Sequence, residues 1–199
     1  MANLKLTRII PIALILIIVA IAIAALITLA RTIFFSGSTS TVSQTDISKE
    51  ALLSSDSDHA VLFSARGPII ANESFKTYQI KITPSSRVLT MYKGYSGQVV
   101  DKISLDNNIS SYQQFIFALY KANLVKGSEL TGDSNDTRGV CATGSVYEFT
   151  VMAGNDTVKQ LWTSTCSGSK GSLSASADQL ISLFTAQIPN IKETLSKSL

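Results

Sequence analysis

Few residues in this chain can do chemistry, and their spacing narrows them quickly. The single histidine, His59, follows the polar run Ser54–Asp58, SSDSD. One histidine beside a polar linker argues against a Ser-His-Asp hydrolase and against a zinc site built from several histidines. Ser167-Gly168-Ser169-Lys170 has the Ser-x-x-Lys spacing of the nucleophile in penicillin-binding proteins. It lies in a Gly/Ser loop where such spacing arises by chance, and the chain has no Lys-Thr-Gly element to complete the set. Asp133, Asn135 and Asp136 suggest a calcium loop. Counted from Asp133, however, the sixth position is Arg138 where a glycine is needed, and the twelfth is Gly144 where a bidentate glutamate is needed. That stretch is expected to be a solvated loop. These readings assign no catalytic residue, no cofactor and no metal, and they lean against an enzyme.

Cys141 and Cys166 are the only cysteines. An even count in an oxidising compartment predicts a disulfide, and closing a loop of 25 residues would stabilise the fold by about 3 kcal/mol. Among the aromatic residues, Tyr147 and Trp162 are expected to pair across a hairpin inside the core. Tyr95, on a turn flanked by Gly94 and Gly97, is the expected exposed contact. Asn72, Asn108, Asn135 and Asn155 each begin an N-glycosylation sequon.

The compartment is read from Ile9–Ala30, IIPIALILIIVAIAIAALITLA, a 22-residue stretch without a charge. As a helix it would reach roughly 33 Å, enough to cross the hydrocarbon core of a bilayer. Lys5 and Arg8 precede it and only Arg31 follows closely, so the positive flank places the N-terminus in the cytoplasm. The stretch is longer than the apolar region of a cleaved secretory signal, which predicts an uncleaved signal-anchor. A pilin-type leader, with its Gly, Phe and Glu, is missing from Met1–Ala30.

The anchor also accounts for the charge. Removing Lys5, Arg8 and Arg31 from the 17 Lys and Arg leaves 14, against 14 Asp and Glu. The exported part is neutral, and no nucleic-acid-binding surface is expected.

The elements that must position these residues follow from periodicity. Ser36–Thr45, SGSTSTVSQT, reads as a flexible tether. Asp46–Leu53 has the length of two helical turns, and the folded domain is expected to begin near His59. Alternation predicts strands over Val61–Arg66, Phe75–Thr83, Arg87–Lys93 and Gln98–Leu105, with connections short enough to force an antiparallel meander. Ser110 with Gln113 forms a capping box before the stripe Tyr112, Phe115, Ile116, Leu119, Tyr120, so a helix should run to about Leu124.

Gly154-Asn155 predicts a two-residue turn between strands Ser145–Ala153 and Thr157–Thr165. That register sets Val151 opposite Val158, Tyr147 opposite Trp162 and Thr143 opposite Cys166, with Cys141 diagonally across. Ser176 with Gln179 opens a last helix, stopped by Pro189. The fold class is α+β, an antiparallel sheet with two helices packed on one face. The divisions are 1–8 cytoplasmic stub, 9–30 signal-anchor, 31–58 Ser/Thr-rich tether and 59–199 exported domain.

Several segments carry a resemblance: Arg66-Gly67-Pro68-Ile69, Gly94-Tyr95-x-Gly97-x-Val99, Arg138-Gly139-x-Cys141-x-x-Gly144-x-x-Tyr147, Leu161-Trp162-x-x-x-Cys166 and Gln187-Ile188-Pro189. In these the exported domain resembles a group of uncharacterised single-span exported proteins of ultrasmall, reduced-genome bacteria. The resemblance implies a bacterial envelope location and no particular chemistry. The expectation is a single-pass, extracytoplasmic binding or interaction module. It is held in the bilayer through residues 9–30, with an envelope protein or cell-wall component as partner. A small envelope enzyme with a site dispersed in the sequence, or an accessory subunit of a membrane complex, are the alternatives.

Overall fold

The expected tether gives way to structure earlier than its composition implies. The computed structural model describes residues 44–198, and its first element is a helix, α1 (Gln44–Leu53). Ser48 and Leu52, one turn apart, are fully buried, and α1 packs against the second helix and three strands. The folded unit therefore starts at Gln44, fifteen residues ahead of the boundary expected at His59. Only one large apolar residue of α1 is fully buried, so its period was too weak to read as a core face. The apolar span 9–30, the stub 1–8 and residues 31–43 of the tether lie outside the described residues. Among the described residues no helix is long and apolar enough to cross a membrane.

Six strands follow: β1 (His59–Arg66), β2 (Lys76–Ile82), β3 (Ser86–Lys93), β4 (Gln98–Asp106), β5 (Val146–Ala153) and β6 (Asp156–Ser164). They form one antiparallel sheet in the order β4-β3-β2-β1-β5-β6. The meander and the hairpin both attach to β1, which is thereby central. Its inward residue Phe63 stands opposite Ile80 on one side and Phe149 on the other.

Four helices, not two, accompany the sheet among the described residues: α1, α2 (Ile109–Lys121), α3 (Ala177–Thr185) and α4 (Ile191–Ser198). Tyr112, Phe115, Ile116 and Leu119 of α2 and Leu180 and Phe184 of α3 are buried in the main core. Phe184 lies between the layers, its ring 5.6 Å from Phe63, 5.3 Å from Phe115 and 6.1 Å from Phe149.

Helix boundaries follow from capping chemistry. The cap of α2 is Asn108, whose Oδ1 accepts a hydrogen bond from the Ser111 amide at 2.9 Å, so the helix begins ahead of the Ser110 box. It ends in a Schellman turn: Asn123 takes φ +62°, Leu124 N donates to Leu119 O, and Asn123 N to Tyr120 O. Ser176 caps α3 as expected.

The hairpin register departs from expectation by one residue. Ala153 does face Asp156, but Val158 bulges out, so Val151 faces Lys159, Glu148 faces Trp162 and Tyr147 faces Thr163. Because side chains alternate across a strand, the slip moves Tyr147 and Trp162 to opposite faces. Tyr147 stacks towards Phe63 on the main core, whereas Trp162 packs with Cys141, Val146 and Cys166 in a second cluster.

Both sheet edges are protected against further pairing. On β6, the Gln160 and Trp162 amides donate to the Glu129 carboxylate and the Ser172 hydroxyl. On β4, Val100 bulges and Lys102 points outward.

Burial also sets a pH response. Tyr78 and Tyr112 hydroxyls are each pushed up to about 12, chiefly by burial, with Tyr147 adding to the shift at Tyr78. A raised folded-state value leaves stability whole below the ordinary tyrosine value of about 10 and erodes it as pH rises towards 12. Alkaline titration of tyrosinate absorbance should thus show two late-ionising tyrosines, with a loss of thermal stability over that window. Ionisation of all six tyrosines in one early step, with the fold intact, would refute this.

Candidate functional site

The residues of interest converge at the end of the sheet where β1 leaves and β2 enters. Arg66, the last residue of β1, turns its guanidinium onto the loop that precedes β5. Its Nη2 donates to Thr137 O at 2.7 Å and to Val140 O, and Nη1 donates to Gly67 O at 3.4 Å. Burial lowers the Arg66 pKa, and the nearby Glu148 carboxylate partly offsets this. Glu148 in turn accepts from the Thr137 hydroxyl, closing a polar ring of β1, β5 and the loop. Ile69 N adds a bond to Ala142 O at 2.8 Å.

The disulfide holds the same loop from behind. Cys141 and Cys166 are joined, with their Cα atoms 5.4 Å apart. The hairpin ladder extends through Thr165 N to Ser145 O, which sets Gly144 rather than Thr143 beside Cys166. A Cβ on Gly144 would stand 2.3 Å from Thr165 Oγ1 and 2.7 Å from Cys141 Sγ, so the bridge and the adjoining hydroxyl occupy the space a side chain would need.

Across the opening stands Tyr95. Its ring lies flat on Phe75, centroids 4.0 Å apart and planes at 16°. Its hydroxyl accepts from Ile70 N at 3.1 Å and donates to Ile70 O at 2.8 Å, and its amide donates to Asn72 Oδ1 at 2.9 Å. Gly94 makes this approach possible: its φ is +70°, and a Cβ there would meet Asn72 Oδ1 at 3.0 Å. Tyr95 remains 52 % exposed. One face of its ring is used for support and the other is open, which is the arrangement of a contact side chain held in advance of its ligand.

Between these walls lies a cleft of about 440 Å³, within the range of small-ligand sites. Ile69, Phe75 and Tyr95 form one side, Thr137, Arg138 and Gly139 the other, and Arg66 and Thr77 line it as well. Of the eight large hydrophobic side chains exposed among the described residues, five stand on the β1–β2 loop, the β3–β4 turn and the start of β4: Ile69, Ile70, Tyr95, Val99 and Val100. Residues of three separate segments, Arg66–Ile69, Gly94–Gly97 and Arg138–Gly139, thus line one opening. Periodicity could not have shown this, because they are 28 and 44 residues apart in the chain.

The other candidates lie elsewhere. The His59 side chain is 13 % exposed and its Nδ1 contacts Asp58 Oδ1 at 2.9 Å. Ser167 and Lys170 are exposed in the loop after Cys166. Asp133 and Asn135 fall in a 3-10 turn, and Asp136 is held at about 2 by hydrogen bonds from Arg138, at 2.8 and 2.9 Å from its Nε. Among the described residues no group of His, Cys, Asp and Glu is placed to hold a metal. Tyr92 lines the neighbouring open surface of the sheet, which shares Arg66 and Thr77 with the cleft. Neither a comparison with protein-family models nor one with curated proteins finds a match to this chain.

Proposed function

We propose that this chain is a non-enzymatic binding module of the bacterial cell envelope. On this reading residues 9–30 anchor it in the membrane, and its folded unit works outside the cytoplasm. The observation that carries the binding role is the cleft, whose two walls are tied in place by hydrogen bonds before any ligand arrives. Beside it sits a rim of exposed apolar side chains of the kind that marks interaction sites. The disulfide supports an oxidising compartment, and the charge-free span supports the anchor.

Photo-crosslinking tests this in cells producing the full chain. A photoreactive side chain at Ile69 should yield a discrete envelope adduct, while one at the exposed Lys192 on α4 should not. No adduct at either position, or the same products from both, would count against a binding site at the cleft.

A further inference from the structure

The cleft does not stop at the sheet's end. It continues into a shallower depression of about 250 Å³ on the face of the sheet that bears Ser64, Gln79, Tyr92 and Glu148, and Arg66 and Thr77 line both. Three features of this groove define what it suits.

Its charges balance, Arg66 and Arg138 against Glu148 and Asp136. Arg66 spends its donors on backbone carbonyls and lies in the field of Glu148, and Arg138 is bound to Asp136. An anionic or cationic ligand would meet no uncompensated counter-charge among these residues.

The backbone under the groove is unavailable. Under the depression it belongs to β1, β2, β3 and β5, each paired on both sides, so an extended peptide has no edge to join there.

Hydroxyl groups remain free. Thr77 and Tyr92 stand opposite each other on β2 and β3, and neither side chain hydrogen-bonds within the described residues. Tyr95 meanwhile presents an open aromatic face in a fixed orientation.

Neutral, hydroxyl-rich molecules that also have an apolar face match all three features. We propose that the groove binds a neutral oligosaccharide. One sugar ring packs its C–H face on Tyr95, and the hydroxyls of the next are held by Thr77, Tyr92 and Gln79. This rests on the reading of the cleft as a binding site and names its ligand class.

The test is calorimetric titration of the full chain in lipid nanodiscs with maltohexaose, cellohexaose and an N-acetylglucosamine hexamer, beside an acidic oligogalacturonate. At least one neutral oligosaccharide should bind and the acidic one should not. Tyr95→Ala should weaken binding roughly tenfold or more, as expected for a central aromatic anchor. Tyr95→Phe, which keeps the ring, should retain most of it. Thr77→Val should weaken binding several-fold at an unchanged melting temperature, which separates a lost contact from a lost fold.

Failure of every neutral oligosaccharide to bind, or equal binding by Tyr95→Ala and the wild type, overturns the inference. If the Ile69 photo-crosslink then captures an envelope protein, the binding module stands and only its saccharide ligand is wrong. If neither experiment finds a ligand, both readings fall.

Discussion

Phe63→Ala should cost about 3–5 kcal/mol, the range for deleting a buried aromatic ring, against a typical total stability of about 5–15 kcal/mol. Phe63 is fully buried at the centre of β1, the strand that both the meander and the hairpin adjoin. Its ring meets Tyr78 edge-on at 5.8 Å, stacks with Phe149 at 5.2 Å and Tyr147 at 6.2 Å, and reaches Phe184 of α3. Removing it opens a cavity bordered by two neighbouring strands and a helix, which cannot all close on the gap at once. Urea unfolding followed by Trp162 fluorescence reads the effect at a distance, because Trp162 belongs to the other cluster. A loss below about 1 kcal/mol would mean that the site collapses freely, contrary to the packing described.

Replacing both cysteines with serine should cost about 3 kcal/mol by the loop-entropy estimate for a 25-residue separation. The expected damage is unequal. Val146 and Trp162, packed beside the bridge, lose a neighbour, and the loop before β5 is left with its hydrogen bonds to Arg66, Ile69, Glu148 and Thr165. Limited proteolysis should therefore cut first between Thr137 and Gly144, at the wall of the cleft, while the main core stays protected. The corresponding check on the wild type is its melting temperature with and without reductant. An unchanged value would show that the bridge contributes little and that the cleft wall does not depend on it.

Strands and helices were legible because their signals are local. Alternation at Phe63, Ile80 and Phe149 and the 3.6-residue stripe on α2 each report one buried face, whatever the partner. The disulfide was legible from two cysteines on either side of a turn. What escaped was set by single residues or by long-range ties. Val158 leaves the ladder as a bulge, and that one residue moves Trp162 away from Tyr147. Asn108 caps α2 where the box at Ser110 and Gln113 was expected to open it, and α1 joins the core through little more than Ser48 and Leu52.

At the cleft, Tyr95 was visible as an exposed aromatic on a glycine turn. Its support by Phe75, Asn72 and Ile70 was not, since nothing in the spacing of those residues marks them as neighbours. Arg66 is the clearest omission. Its role depends on carbonyls 71 and 74 residues further along the chain. An arginine ending a strand beside Gly67-Pro68 carries no local sign of such an attachment.

Amide hydrogen exchange of the full chain, compared between native envelope membranes and purified nanodiscs, tests the central claim most directly. If the cleft is a binding site that is occupied in place, amides of Ile69–Ile70, Tyr95–Gly97 and Thr137–Gly139 should exchange more slowly in the envelope. The helix faces, including Lys192 on α4, should exchange alike in both. Identical exchange at all three segments in the two settings would contradict the account.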